Sequence, residues 1–271
     1  PQTEPPRSPR ETLPTMYDLP SENPEEPGLP DEFHGLQPQL LSRTFRPSNY
    51  LASQIFSGAD MNLYYDARHP LWYKRPDWFG VVGVSRLYDE VDMRLSYVVW
   101  QEGINPFVVV ELLSPGTEKE DLRENDGREK LPSTSDNLAG NGHINPEPKG
   151  GKPARKWEVY EQHLRVPYYV VFSLYTDRMR AFKLEGGHYQ ELELSDSRVW
   201  MPEIDLGLGL WQGEYLGVDR LWLRWYDSEG NWIPTPEEAA QQRAELAEAR
   251  LESLMQRLRD SGIDPDRFLN S

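Results

Sequence analysis

Two carboxylates lie where apolar, strand-like runs of the chain meet a break. Pro76-Asp77 opens the run "DWFGVVGVSRL", and Glu111 follows four apolar residues, Phe107 to Val110, in "PFVVVELLSPGT". The second run reads as a buried strand. A buried carboxylate is costly unless it is paired, bound to a metal or shifted in pKa. If the two strands are neighbours, Asp77 and Glu111 converge at one edge of a sheet and repel each other. A divalent cation relieves that repulsion, and oxygen ligands favour Mg²⁺ or Mn²⁺. Lys156 lies on a later helical stretch, "RKWEVYEQHLR", with Tyr160 four residues on and so on the same face. An ammonium near the metal can orient a water and stabilise charge growing on a phosphoryl group.

Each of these residues also has a plainer role open to it. Asp77 after a proline can cap a turn. Glu111 can form a structural ion pair, and Lys156 can be a solvated helix lysine. Asp121, in "EKEDL", is either an acid behind the site or simple loop charge. The five histidines, at 34, 69, 143, 163 and 188, show no metal-ligand spacing and are read as structural or solvated. Ser114 lacks a G-x-S-x-G surround and is read as a strand-ending cap.

The elements that must position these groups follow from pattern. "DWFGVVGVSRL", "RLSYVVWQEG", "PFVVVELLS" and "VPYYVVFSLY" read as strands. "PSNYLASQIFSG" reads as a short helix capped by Ser48. "RMRAFKLEGGHYQELEL" and "LWLRWYDSEGNWI" read as hairpins. Strand, helix, strand and then meander imply an α/β (α+β) chain: a mixed central sheet with few flanking helices. A polar loop, residues 122–154, separates Glu111 from Lys156. Residues 1–36, rich in Pro and Glu, read as an extended or disordered acidic arm. A main domain spans 37–234, and 235–271 form a long amphipathic helix and tail. That helix begins with Thr235 as N-cap, Pro236 at N1 and Glu238 at N3. Ala240, Ala244, Ala247, Leu251, Leu254 and Leu258 step along it as a heptad seam. It either packs on its own domain or dimerises the protein as a coiled coil.

Composition bounds the chemistry. The 271 residues contain no cysteine, which excludes disulfides, thiolate metal sites and cysteine catalysis. The lack of cysteine suits a reducing, cytoplasmic location. No apolar run approaches a membrane span, and "PQTEPPRSPRETLPT" has no secretory apolar core. The net charge of −16 argues at first against nucleic acid. Its distribution weakens that: residues 1–36 carry −6, 227–271 carry −5, and the long middle only −5.

Together the blocks "RPDWFGVVGV", "PFVVVELLSPGTEKEDL" and "RKWEVYEQHLRVPYYVVF" resemble the core of the Uma-two family, over about residues 45–210. The resemblance implies a PD-(D/E)XK, restriction-endonuclease-like fold and a metal-dependent endonuclease cutting DNA phosphodiesters. It implies Asp77 and Glu111 as ligands of Mg²⁺ (or Mn²⁺) and Lys156 as catalytic lysine; Tyr160, on the lysine's helical face, and Asp121, close after Glu111 in the chain, are accessory candidates by position. The plain E-x-K spacing would put lysine at 113, where this chain has Leu113, so the lysine is expected to come from the helix. The competing expectation is a non-catalytic, nuclease-like binding or assembly protein, a homodimer through the C-terminal helix.

Overall fold

The computed structural model describes residues 13–14, 31–113 and 154–262. Residues 122–153 of the expected loop, and Asp121 before them, lie outside the described residues. In chain order the strands are β1 (Ile55–Ala59), β2 (Leu63–Tyr64), β3 (Tyr73–Lys74), β4 (Trp78–Val82), β5 (Tyr97–Val98) and β6 (Val108–Leu113). Then come β7 (Tyr168–Ser173), β8 (Arg178–Glu185), β9 (His188–Glu191), β10 (Arg198–Met201), β11 (Leu206–Tyr215) and β12 (Val218–Tyr226). The helices are α1 (Glu32–Thr44), a single turn α2 (Val99–Glu102), α3 (Lys156–Glu158), which continues as a π-helical turn over Val159–His163, and α4 (Pro236–Asp260).

Six strands form the central sheet in the order β1-β4-β6-β7-β8-β9. β6 and β7 run parallel at its centre, and the other neighbours are antiparallel. A parallel pair must be covered on both faces, so its strands become continuous apolar runs. All six residues of β6 are buried. Its even-numbered members Val108, Val110 and Leu112 pack with α1 and the β10-β11-β12 sheet. Val109 and Leu113 face the other way, onto α3 and the small β3-β2-β5 sheet. The architecture is the restriction-endonuclease-like mixed sheet with few helices and a long C-terminal helix.

Three local expectations change. Residues 32–36 are helical, not extended: Asp31 caps α1, its side chain accepting from the His34 amide. Phe33, Gln37, Leu40, Leu41 and Thr44 form the helix's buried stripe, which outweighs Gly35 and the internal Pro38. Gln37 docks the helix on β12, donating to the Leu223 carbonyl and accepting from the Leu223 amide, both at 2.8 Å. Residues 47–58 are not a helix. A 3₁₀ turn at Ala52–Gln54 runs straight into β1, because Phe56 and Ile55 point to opposite faces of the sheet and each packs there. The run 94–103 is strand only at β5. It then turns as α2 and ends at Gly103, whose φ of 72° makes it a left-handed cap.

A candidate site at the end of the β4–β6 ladder

The register of β4 on β6 pairs Trp78 with Val110. Continued by one residue it sets Asp77 opposite Glu111, and directly opposed residues of an antiparallel pair point to the same face. Continued by two, it sets Pro76 opposite Leu112. Proline has no N–H, so the ladder stops there. The buried N–H and carbonyl of Leu112 must then find other partners. Its N–H donates to Asp77 Oδ2 at 2.6 Å, and its carbonyl lies 3.2 Å from His34 Nε2. Pro-Asp therefore ends the strand pairing and substitutes a carboxylate for the missing strand.

Glu111 is fully buried. The Tyr160 hydroxyl donates to its Oε1 at 2.7 Å. Lys156 Nζ reaches its Oε2 at 3.0 Å, and the Asp77 amide donates to the same oxygen at 3.3 Å. Lys156 and Tyr160 are four apart on one helical face, and the wider π-helical turn begins between them, at Val159. Such turns are frequent at functional sites. Burial, opposed by the pull of the Lys156 ammonium and reinforced by the Asp77 charge, pushes the Glu111 carboxyl up to about 7.

Asp77, Glu111, Lys156 and Tyr160, all singled out from sequence, thus converge on one point. Asp121 is outside the described residues. Arg75, next to the Pro-Asp pair, is turned aside into an ion pair with Asp60 at 2.8 Å.

Sequence reasoning missed His34. Asp31 Oδ1 accepts from the His34 amide at 2.9 Å and lies 2.8 Å from ring Nδ1. Burial opposes a charge on His34, yet Asp31, Asp77 and the Leu112 carbonyl together hold its proton affinity above the usual histidine value. The spacing of the five histidines carries no trace of this, because the partner is a backbone carbonyl 78 residues away. The D-x-x-H at a helix start was the one available signal.

Among the described residues no group of three His, Asp or Glu side chains is arranged to hold a metal. Two opposed carboxylates still suit a hard cation, since Mg²⁺ typically takes one or two carboxylates and keeps several waters. The like-charge pressure of Asp77 on Glu111 is the feature a cation would relieve. Among the described residues no helix is long and apolar enough to cross a membrane.

The model of the Uma2 (Uma-two) family, described as "Putative restriction endonuclease", matches residues 7–219. A search of curated proteins finds no match.

Proposed function

Since the chain belongs to the Uma2 family, whose model spans most of its length, we propose that it is a divalent-metal-dependent endonuclease that hydrolyses DNA phosphodiesters at the Asp77–Glu111 edge. The observation that carries this reading is the convergence of Asp77, Glu111 and Lys156 at the end of the β4–β6 ladder. Asp77 and Glu111 would hold Mg²⁺ or Mn²⁺. A cation held there supplies Lewis-acid polarisation of a phosphoryl oxygen and a more acidic bound water. The chain's own residues do the rest. Tyr160 fixes Glu111 through Oε1, leaving the Oε2 side toward Asp77 and Lys156. The Leu112 amide sets the rotation of the Asp77 carboxylate. Lys156, whose side chain is 17 % exposed, offers its ammonium from the solvent side. There it orients the attacking water and balances charge developing on the phosphoryl oxygens.

Supercoiled plasmid incubated with Mn²⁺ or Mg²⁺ tests this. Wild-type protein is expected to nick it, a chelator to stop the reaction, and Asp77→Ala to be silent while still folding. A wild-type protein that cuts neither DNA nor RNA with either ion would sink the reading. It would favour instead the non-catalytic, nuclease-like protein, to which one feature already lends weight: both Glu111 oxygens are engaged by protein donors.

A second copy of the chain is the proposed partner of α4. Beyond its first turn this 25-residue helix is exposed apart from the half-buried Met255 and Leu258, with Leu246 at 60 %, Leu251 at 49 % and Leu254 at 56 %. Its inner end is fastened by Arg224 to Glu238 and by Arg43 to Glu237. Leu251, Leu254 and Leu258 continue the alanine seam at heptad steps, the pattern that pairs helices. Light scattering is expected to give a dimer for the full chain and a monomer for a chain ending at Thr235. A monomeric full chain would overturn the pairing without touching the nuclease reading.

A further inference from the structure

Leu112 is gripped at both ends of its backbone on the side where β4 stops. Asp77 takes its N–H, and His34 faces its carbonyl. A carbonyl only accepts and an aspartate carboxylate only accepts. With Leu112 O on Nε2 and Asp31 Oδ1 on Nδ1, the ring acts as donor at both nitrogens. Its position is fixed from three directions. Asp31 caps α1 and holds Nδ1, Phe33 meets the ring edge-on at 6.0 Å, and Gln37 locks the next turn of the helix to β12. Only 16 % of the side chain is exposed. That is a large amount of structure for a residue without catalytic spacing, and all of it bears on the backbone of one residue, Leu112.

The geometry points to His34 as a positioning residue of the site: by holding the Leu112 carbonyl it fixes the backbone on one side of the Leu112 Cα, and the Leu112 N–H on the other side aims the Asp77 carboxylate. The inference rests on the reading of Asp77 and Glu111 as the metal-holding pair. Groups behind a ligand that orient it typically govern metal affinity by about 10–100-fold. In this chain the orienting group is delivered by α1, an element far from β4 and β6 in sequence.

Two variants of the full chain separate a donor from a space-filler. His34→Phe keeps a ring and removes both donors, whereas His34→Gln keeps one N–H able to reach a carbonyl. In calorimetric titration with Mn²⁺, His34→Phe is expected to bind about tenfold or more weakly than wild type. His34→Gln is expected to recover most of that loss, with thermal unfolding in chelator confirming that both are folded. Plasmid nicking should follow the same order. Folded His34→Phe with wild-type Mn²⁺ affinity would overturn the inference, as would His34→Gln as weak as His34→Phe. Should His34→Phe not fold, Asp31→Gly decides. It frees Nδ1 while glycine still serves as a helix N-cap, and unchanged Mn²⁺ affinity there overturns the inference too. If wild type itself binds no Mn²⁺, the metal-site reading fails and takes this inference with it. Wild-type binding with unaffected variants defeats His34 alone.

Discussion

In chelator, wild-type protein is expected to lose about 3 kcal/mol of folding stability from Glu111 between about pH 5 and pH 8, a loss absent from Glu111→Gln. The sign follows from the direction of the shift. In the unfolded chain Glu111 returns to its ordinary value of 4.5, whereas burial in the folded protein pushes it up to about 7. Between those values the folded state holds a proton that the unfolded state has released. Stability from this group is therefore complete below 4.5 and drains away as pH rises through 7. Urea unfolding at the two ends of the window measures it. Other shifted carboxylates, Asp31, Glu191 and Glu238 among them, are held below their ordinary values, so their contributions change at lower pH. His34 is raised as well, above its ordinary 6.5, and sheds stability as pH rises beyond that value. The comparison between wild type and Glu111→Gln removes it, because His34 is present in both.

The same variant separates structure from chemistry. A cation bound between Asp77 and Glu111 stabilises the ionised form, so Mn²⁺ should restore the stability that wild type loses at about pH 8. Glu111→Gln should gain much less from Mn²⁺ and should fall by orders of magnitude in nicking. A wild-type curve that is flat with pH and indifferent to Mn²⁺ would leave Glu111 as a structural ion-pair acid.

What was legible in the sequence divides by range. β6 could be read because a strand buried on both faces must be an unbroken apolar run, so one glutamate within it stood out. Pro76-Asp77 was legible for a related reason: proline ends a ladder wherever it falls, and the acid beside it lies at the ladder's end. Lys156 and Tyr160 were legible as a helical i, i+4 pair. The misses are of another kind. α1 was hidden by Gly35 and Pro38, whose local cost is offset by a buried stripe and by Gln37 bonding to Leu223. That bond joins residues 186 apart, and nothing near Gln37 in the chain announces it. His34 was hidden for the same reason, its long-range partner being a carbonyl and not a side chain. In residues 94–103 the alternation suggested a strand, but the left-handed turn at Gly103 closes a helical turn. Local periodicity reveals the elements that make the sheet, and long-range polar docking decides which residues complete its site.

Lys156→Met is expected to show the opposite pH profile of damage from Glu111→Gln. Removing one member of a buried pair leaves the other uncompensated, at a typical cost of about 3 kcal/mol or more. That cost falls due only when Glu111 is ionised. Near pH 8 the variant should be markedly less stable than wild type. Near pH 5 Glu111 is protonated in both proteins and the difference should be small. The ammonium is the chief partner drawing Glu111 down, so its loss should carry the Glu111 pKa further above 7. Combining Lys156→Met with Glu111→Gln should abolish the penalty near pH 8, since no carboxylate remains to be orphaned. Activity and metal binding should part company in Lys156→Met. Nicking is expected to fall about 10²–10³-fold, the usual effect of losing one group that stabilises developing charge. Mn²⁺ should bind at least as tightly as in wild type at about pH 8, because the ammonium that shares Glu111 Oε2 with the cation is gone. Joint loss of Mn²⁺ binding and nicking in a folded variant would instead make Lys156 part of the scaffold that holds the carboxylates, with the attacking water left to some other group.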